Sequence, residues 1–166
     1  MAPELIGRLI DAHAAALTLY ARQWCAAPED VVQEAFVKLA TQATSPPNVV
    51  PWLYAVVRNG ALSAARADRR RQKHEATAAA RSPAWFVPAE PPGLDATTAA
   101  AALADLPLEE REVIVAHLWG RLTFEQVGRL TGSSAATAYR RYAAGLTALR
   151  TRLGVPCPKN QPSTPS

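Results

Sequence analysis

The stretch that decides the fold is residues 123–152, TFEQVGRLTGSSAATAYRRYAAGLTALRTR. Its first four residues, from Thr123 to Gln126, form a capping-box pattern, in which the threonine hydroxyl accepts a hydrogen bond from the third helical amide and the glutamine reaches back to the cap. Gly132 follows where a helix C-terminus favours a left-handed residue. The two serines after it offer the N-cap of a second helix that we predict to run to about residue 153. A short helix, a glycine-containing turn and a longer helix predict a helix-turn-helix.

The predicted second helix has two unlike faces on a wheel of 3.6 residues per turn. The face that we expect to pack carries Ala138, Tyr142, Gly145, Leu149 and Leu153. The opposite face carries Thr137, Arg140, Arg141 and Ala144. Arginine can donate two hydrogen bonds to guanine, and a threonine methyl can contact a thymine methyl, so this face suits the DNA major groove. A solvated basic face on a structural helix is the alternative interpretation of the same residues.

The composition indicates a soluble and mostly helical protein. The 166 residues are 49% hydrophobic, with many alanines and only 7% aromatic residues. No run of about 18 apolar residues occurs, so we expect no membrane span, and the N-terminus lacks the basic and apolar regions of a secretory signal. Cys25 and Cys157 are far apart and have no companion ligands at metal spacing, so we interpret each as a lone thiol.

The net charge of +4 is spread unevenly along the chain. Residues 1–65 hold four basic and five acidic side chains, whereas residues 66–75 hold five basic side chains against two acidic ones. After Glu125 the chain has no acidic residue, while basic residues continue. Two separated basic patches favour two contacts with a polyanion, and counterion release would make such binding strongly dependent on salt.

The remaining pattern divides the chain into two helical modules. Apolar periodicity and turn signals predict helices at about residues 4–24, 28–39, 51–79, 95–105 and 108–119, with a loop at 41–50. Four prolines between residues 82 and 93 predict a linker, in which Trp85 and Phe86 either dock on a partner or pack against a neighbouring helix. The chain from Gly154 is rich in proline and serine, which is typical of a disordered tail.

Three motifs, in order, resemble those of a known family. Residues 28–39, PEDVVQEAFVKL, are similar to an acidic helix of the form EDLVQEVFLKLW. Residues 51–59, PWLYAVVRN, with the basic run at 69–71, resemble a helix of the form WLYRIARN followed by RRRR. Residues 106–127 include LPLEEREV and LTFEQV, which resemble LPxxxREV and GLSYEEIA. The motifs are those of the sigma-70 family of bacterial RNA polymerase sigma factors, specifically the short extracytoplasmic-function (ECF) type.

The resemblance implies an all-α fold of two small helical domains. The expected parts are a sigma-2-like three-helix bundle at 1–80, a linker at 81–94, a sigma-4-like helix-turn-helix domain at 95–153 and a disordered tail at 154–166. The implied function is that of a promoter-specific initiation factor with no catalytic residues and no cofactor. It would direct the RNA polymerase core to promoters and assist their opening, in the cytoplasm and on the nucleoid when active, without a membrane partner.

The resemblance also implies where the partners bind. The acidic helix of the family docks on the beta-prime clamp of the polymerase, and the matching residues here are Asp30, Gln33 and Glu34. Compensation of the helix dipole is the alternative role of these carboxylates. Other expected partners are the beta flap of the polymerase, promoter DNA and an anti-sigma factor.

Two further sets of residues are implied for DNA. The long helix of the family melts the promoter −10 element, which points to Trp52, Asn59, Arg66, Arg69, Arg70 and Arg71. Aromatic and basic side chains suit this task because unstacked bases need a stacking surface, although Trp52 equally suits the core. The loop at 45–48 matches the base-capture loop loosely. In the family, the helix-turn-helix reads the −35 element. The matching residues here are Ser134, Thr137, Arg140 and Arg141.

Other classes of protein fit the sequence less well. A sigma-like mimic that sequesters an anti-sigma factor should lose the basic positions of both DNA helices, and this chain retains them. A DNA-binding regulator that used only the C-terminal module would give the acidic N-terminal module no function. An enzyme is not expected, because His13, His74 and His117 have no partners at nucleophile or metal spacing and no glycine-rich phosphate loop occurs.

Overall fold

The structure is a computed structural model that describes residues 3–74 and 96–154. Within those ranges it is built from helices alone, which confirms the predicted all-α fold. The predicted linker, the predicted cap Asp95 and the tail beyond Gly154 lie outside the described residues. The elements are α1 (Pro3–Ala21), α2 (Pro28–Thr41), α3 (Val49–His74), α4 (Ala96–Ala104), α5 (Leu108–Ile114), a π-helical segment (Val115–Trp119), α6 (Phe124–Thr131) and α7 (Ala135–Arg152).

Helices α1, α2 and α3 form the N-terminal module, in which each helix packs against the other two. Helix α2 begins with Pro28, whose fixed φ suits the first turn, and two acidic residues follow it at the positive end of the helix dipole. The apolar positions predicted to face inward are all buried on α2, whereas on α3 Leu53 and Val57 are buried and Val56, Gly60 and Ala64 are partly buried. The core of this module contains Leu17, Tyr20, Val32, Phe36, Leu39, Leu53, Val57 and Ala61.

Two helix boundaries differ from the prediction. The first helix ends at Ala21 rather than at residue 24, because the next residues form a tighter turn in which the Trp24 N–H donates to the carbonyl of Ala21 at 3.1 Å. Helix α3 begins at Val49, before the predicted start at Pro51, since a proline in the first turn gives up no helical hydrogen bond. Residues 75–79, predicted as its last turn, lie outside the described residues.

Helices α6 and α7 form the predicted helix-turn-helix. Thr123 Oγ1 accepts a hydrogen bond from the Gln126 N–H at 3.3 Å, and Gln126 Oε1 accepts one from the Thr123 N–H at 2.8 Å, so the capping box is confirmed. Gly132 ends α6 in the left-handed conformation, with φ of 68°. Ser134 Oγ caps α7 by accepting from the Thr137 N–H at 3.1 Å. On the predicted packed face of α7, Ala138 and Gly145 are buried, and the other members are partly buried.

Helix α5 passes without a break into the π-helical segment. The N–H of Gly120 donates to the carbonyl of Val115, five residues earlier, at 3.2 Å, and the N–H of Leu122 donates to Ala116 at 3.2 Å. The sequence predicts a single helix over residues 108–119 but gives no sign of the wider turn. The segment ends at Trp119, and Arg121, with φ of 53°, lies in the turn that leads to α6.

The two modules share one hydrophobic core. The C-terminal module consists of α4 to α7 with the π-helical segment, and the π-helical segment packs against α1 while α6 packs against α3. Gly120 lies so close to Tyr54 of α3 that an added Cβ would be 2.7 Å from its hydroxyl. The buried residues of both modules therefore belong to a continuous cluster. The division into domains at residues 80 and 95 stays a prediction.

Replacing Thr123 with alanine is expected to lower the free energy of unfolding by about 1 kcal/mol, because the N–H of Gln126 loses its acceptor. Urea denaturation followed by circular dichroism measures this change. Glu125→Gln is the matched control: it alters an exposed side chain in the same turn, and we expect it to stay within about 0.5 kcal/mol of wild type. Equal effects of the two substitutions would contradict the role of the capping box.

Candidate polymerase and DNA interfaces

The exposed side of α2 carries the three residues predicted to bind the polymerase. Asp30, Gln33 and Glu34 are all exposed, as the helical periodicity predicts. Glu34 pairs with Lys38 at 2.9 Å, one helical turn later, and such exposed pairs contribute little to stability. The carboxylates at the start of α2 therefore lie open to a partner. Their role in binding stays a prediction, because compensation of the helix dipole at the start of α2 explains their position equally well.

An apolar groove of about 470 Å³ lies beside these residues, between α1 and α2. Gln33 is on its edge, so the groove is continuous with the acidic side of α2. Val37 is 54% exposed there, and Ile10 of α1 is also exposed. The only sign of this groove in the sequence is the apolar Val37 among the charged residues on the outer side of α2. The apolar walls are formed by Ile6, Ile10, Ala14, Val32, Phe36, Val37 and Ala40.

The predicted −10 residues on α3 form a mostly exposed basic stripe. Asn59, Arg66 and the run from Arg69 to Arg71 are exposed. Arg66 Nε donates to the carbonyl of Leu62 at 3.2 Å, which holds its guanidinium along the helix, and Arg71 pairs with Asp68. Arg66 and Arg69 also line a cavity of about 330 Å³ that reaches Leu108 of the C-terminal module.

Trp52 differs from the other predicted −10 residues. It is only partly exposed and packs against the core, which favours the core alternative for most of its ring. The loop before it, which matches the base-capture loop loosely, exposes three of its four residues between 45 and 48. Any contact of Trp52 with an unstacked base stays a prediction.

The predicted −35 residues surround the N-terminus of α7. Ser134 and Arg140 are exposed, whereas Thr137 and Arg141 are partly buried. Their side chains are linked: Ser134 Oγ lies 3.0 Å from Thr137 Oγ1, and Arg140 Nη2 donates to the same oxygen at 3.1 Å. These hydrogen bonds orient Arg140 along the exposed side of the helix, and contact with bases stays a prediction.

An aromatic cluster supports this end of α7. Phe124, at the start of α6, stacks on His117 with ring centroids 4.2 Å apart and meets Tyr142 at 5.3 Å. Phe124 also contacts Tyr139 edge-to-face at 5.4 Å, although the Tyr139 side chain is 56% exposed. The cluster adds ring contacts to the packing of α6 against α7. Tyr139 was missed by sequence reasoning, because the wheel places it at the margin of the two faces.

A buried polar network joins the two modules. Glu112 of α5 is only 5% exposed. Its Oε1 accepts a hydrogen bond from Tyr20 Oη of α1 at 2.7 Å and one from Arg58 Nε of α3 at 2.7 Å. We call these three residues the Glu112 network. Sequence reasoning missed it because its members are 92 and 54 residues apart along the chain.

The network and the nearby tyrosine have perturbed ionisation. Burial, together with the charge and hydrogen bond of Glu112, raises the pKa of Tyr20 well above its ordinary value. Burial also raises the pKa of Tyr54, whose hydroxyl has no hydrogen-bond partner among the described residues. Burial alone would lower the pKa of Arg58, but its hydrogen bond to Glu112 and the charge of Glu112 raise it overall.

Comparison with known proteins identifies the N-terminal module. Residues 9–71, which include α2 and nearly all of α3, match the family model for sigma-70 region 2. This module is a sigma-70 region 2, a domain of the sigma-70 family. The fold of the whole chain is that of the ECF type: a solved structure of the sigma factor RpoE in complex with the anti-sigma factor NepR from Bartonella quintana matches it with a TM-score of 0.72 at 21% identity. The match covers 94% of this chain and 100% of that one. No curated protein sequence matches the chain.

The family assignment confirms the resemblance seen in the sequence motifs. The sigma-70 family is not a family of enzymes. Over residues 3–74 and 96–154, the protein has no group of three histidine, cysteine or acidic side chains placed to hold a metal ion. In the same ranges no helix is long and apolar enough to cross a membrane.

The raised tyrosine pKa values predict that the protein loses stability in alkali. The unfolded chain releases tyrosine protons above about pH 10, whereas folded Tyr54 keeps its proton to higher pH, so the free energy of unfolding falls as pH rises above about 10. Tyr54→Phe should flatten this fall, as measured by urea denaturation at several pH values. Tyr139→Phe, at an exposed ring, is the control, and an equal flattening by it would contradict the assignment.

Proposed function

We propose that this sigma factor directs the RNA polymerase core to specific promoters and assists in opening them. The observation that carries the proposal is the placement of three exposed charged surfaces on a chain with a sigma-70 region 2. The acidic side of α2, the basic stripe of α3 and the basic start of α7 lie on three different helices. Each matches a contact that the family makes during initiation, with the polymerase, the −10 element and the −35 element.

The acidic side of α2 is the proposed contact with the beta-prime clamp of the polymerase. Asp30, Gln33 and Glu34 supply exposed polar and charged groups, and the groove beside them supplies apolar surface. An apolar centre with a charged rim is the usual composition of a specific protein interface. A sigma factor needs such a surface because it must hold the core tightly and later leave it.

The basic stripe of α3 is the proposed contact with the melted −10 element. Asn59, Arg66 and the run at 69–71 offer hydrogen-bond donors and positive charge along about three turns of helix. Single-stranded DNA binds to surfaces of this kind through its phosphates, with aromatic side chains stacking on bases. The exposed part of Trp52 is the proposed stacking surface.

The start of α7 is the proposed reader of the −35 element. Helix-turn-helix proteins place the N-terminal part of the second helix in the major groove. Arg140 and Arg141 lie in the second turn of α7, next to Thr137, which is where base edges are reached. Ser134 Oγ and the first amides of the helix suit a backbone phosphate.

The proposal extends to further partners and to location. The similar sigma factor from Bartonella quintana is held by an anti-sigma factor, which makes a partner of this class reasonable for this chain. We propose the beta flap of the polymerase as a second contact, made by the C-terminal module. The proposed location is the cytoplasm, with the protein on the nucleoid when active.

Run-off transcription with core polymerase and genomic DNA fragments from the source organism tests the function. Wild type should give discrete transcripts, and Asp30→Ala with Gln33→Ala should abolish them together with core binding. Asp11→Asn, which alters an exposed carboxylate of α1, is the control and should leave transcripts unchanged. Absence of core binding by wild type would overturn the proposal and favour a mimic that sequesters an anti-sigma factor.

A second test uses salt dependence on double-stranded promoter fragments selected in that assay. Replacing Arg140 and Arg141 with alanine should weaken binding and reduce the slope of log K against log salt by up to about 2, because each arginine releases about one counterion. Fluorescence anisotropy between low and moderate salt measures the slope. Arg8→Ala, an exposed arginine of α1, should leave it unchanged; an unchanged slope in the α7 variant would exclude α7 as the DNA helix.

A further inference from the structure

We propose that Arg121, in the turn that leads into the helix-turn-helix, binds a backbone phosphate of the DNA beside the −35 element. The inference rests on the proposed function and deepens it, because it adds a residue that lies outside the predicted DNA-binding set. Two observations carry it. The backbone of Arg121 has a conformation that suits glycine, and its side chain has no hydrogen bond or ion pair with the described residues.

The backbone at Arg121 is strained. With φ of 53°, it is the one residue other than glycine that has a positive φ within ranges 3–74 and 96–154. In this conformation the Cβ crowds the carbonyl oxygen, so every residue with a side chain is less favourable there than glycine. The motif GLSYEEIA, which residues 122–127 resemble, has glycine at the matching position. This chain therefore carries an arginine where the backbone favours glycine.

The residues on both sides of Arg121 impose this conformation. The N–H groups of Gly120 and Leu122 each donate to a carbonyl of the π-helical segment at 3.2 Å, so the chain is fixed before and after residue 121. Strained residues persist where the surrounding structure holds them, and they cluster at binding sites. The backbone gains nothing from an arginine here. Any benefit of the residue therefore comes from its side chain.

The side chain of Arg121 is exposed and has the chemistry of a phosphate ligand. It forms no ion pair with Glu125, four residues later, or with any other residue that the structure describes. Arg140, by contrast, donates to Thr137 on its own helix. A guanidinium without a partner keeps five N–H donors in a planar fork and a full positive charge. This fork binds two oxygens of a phosphate at once.

The position of Arg121 places it beside the proposed DNA-reading side of α7. Phe124, three residues later, contacts Tyr139, the neighbour of Arg140. Three residues of chain span at most about 11 Å, which is close to the width of about 12 Å of the major groove. When the second helix of a helix-turn-helix lies in that groove, the first helix crosses the DNA backbone. A residue just before the first helix therefore meets a phosphate rather than a base edge.

A phosphate contact differs from a base contact in what its loss does. Contacts with phosphates hold the protein in register on the duplex but carry no sequence information. Loss of Arg121 should therefore weaken binding equally on all sequences. Loss of Arg140, the proposed base reader, should weaken binding mainly on duplexes that carry the correct −35 element.

Fluorescence anisotropy with the complex of core polymerase and the full-length protein tests the contact. The probe is a duplex that carries the −35 element of a promoter selected by transcription and ends before the −10 element, so that strand opening does not contribute. Arg121→Gly should weaken binding about threefold to tenfold and lower the slope of log K against log salt by about 0.9, because one counterion fewer is released. Arg121→Lys keeps the charge and should keep the slope.

Three further measurements serve as controls. Arg150→Ala removes an exposed arginine from the last turn of α7, about 15 Å along the helix from Arg140, and should leave the slope unchanged. A duplex with a scrambled −35 element should show the same fold-loss for Arg121→Gly, whereas Arg140→Ala should reduce the preference for the correct element. Thermal melting followed by circular dichroism should give Arg121→Gly a midpoint at or above that of wild type, because glycine adopts the left-handed conformation without strain.

The outcomes separate the phosphate contact from the proposed function. An unchanged slope in Arg121→Gly, a loss confined to the correct −35 element, or an equal loss in Arg121→Lys or Arg150→Ala overturns the contact. A lower melting midpoint for Arg121→Gly overturns the argument from the backbone. If wild type prefers the correct −35 element and Arg140→Ala removes that preference, the proposed function stands whatever Arg121 does. If wild type shows no such preference, the proposed reading of the −35 element and the phosphate contact are overturned together.

Discussion

Among the described residues, Glu112 is the one charged residue that is buried. Because water cannot reach its carboxylate, the hydrogen-bond donors to that carboxylate must come from the protein. It finds them in Tyr20 and Arg58, on two helices of the other module. Apolar side chains around it bring the modules into contact, and Gly120 lies close against Tyr54. The two hydrogen bonds add a directional constraint to this apolar contact, since both donors must lie within reach of one carboxylate oxygen.

The local parts of the fold could be predicted from the sequence because their determinants lie within a few residues of one another. Thr123 and Gln126 satisfy each other's backbone groups, and Gly132 adopts the conformation that a side chain would oppose. The exposed positions of α2 follow from a regular period of 3.6 residues. In each of these features, the residues that determine the local structure lie within about one helical turn of one another along the chain.

The contacts between distant segments could not be predicted in this way. Glu112 is one of three glutamates within four positions of α5, and nothing in the sequence distinguishes it from exposed Glu109. Its partners lie far away in the chain, and only the packing of α1 and α3 brings them near. Trp52 shows the same limitation, since an aromatic residue next to a proline suits both the core and the DNA surface. Val37 likewise lines an apolar groove only because α1 packs beside α2, and the sequence of α2 does not show this packing.

The π-helical segment adds one residue to a helical turn, so every side chain after it is rotated by about 100° relative to a continuous α-helix. Glu112 lies before this turn and Gly120 lies at its end, and both face the N-terminal module. In a uniform α-helix the two could not share that side in the same way. Deleting one residue between 115 and 119 would restore the regular α-helical period and still leave Gly120 facing Tyr54, because seven residues of α-helix make roughly two full turns. The wider turn thus accommodates one extra residue between Glu112 and Gly120 while both remain packed against the N-terminal module.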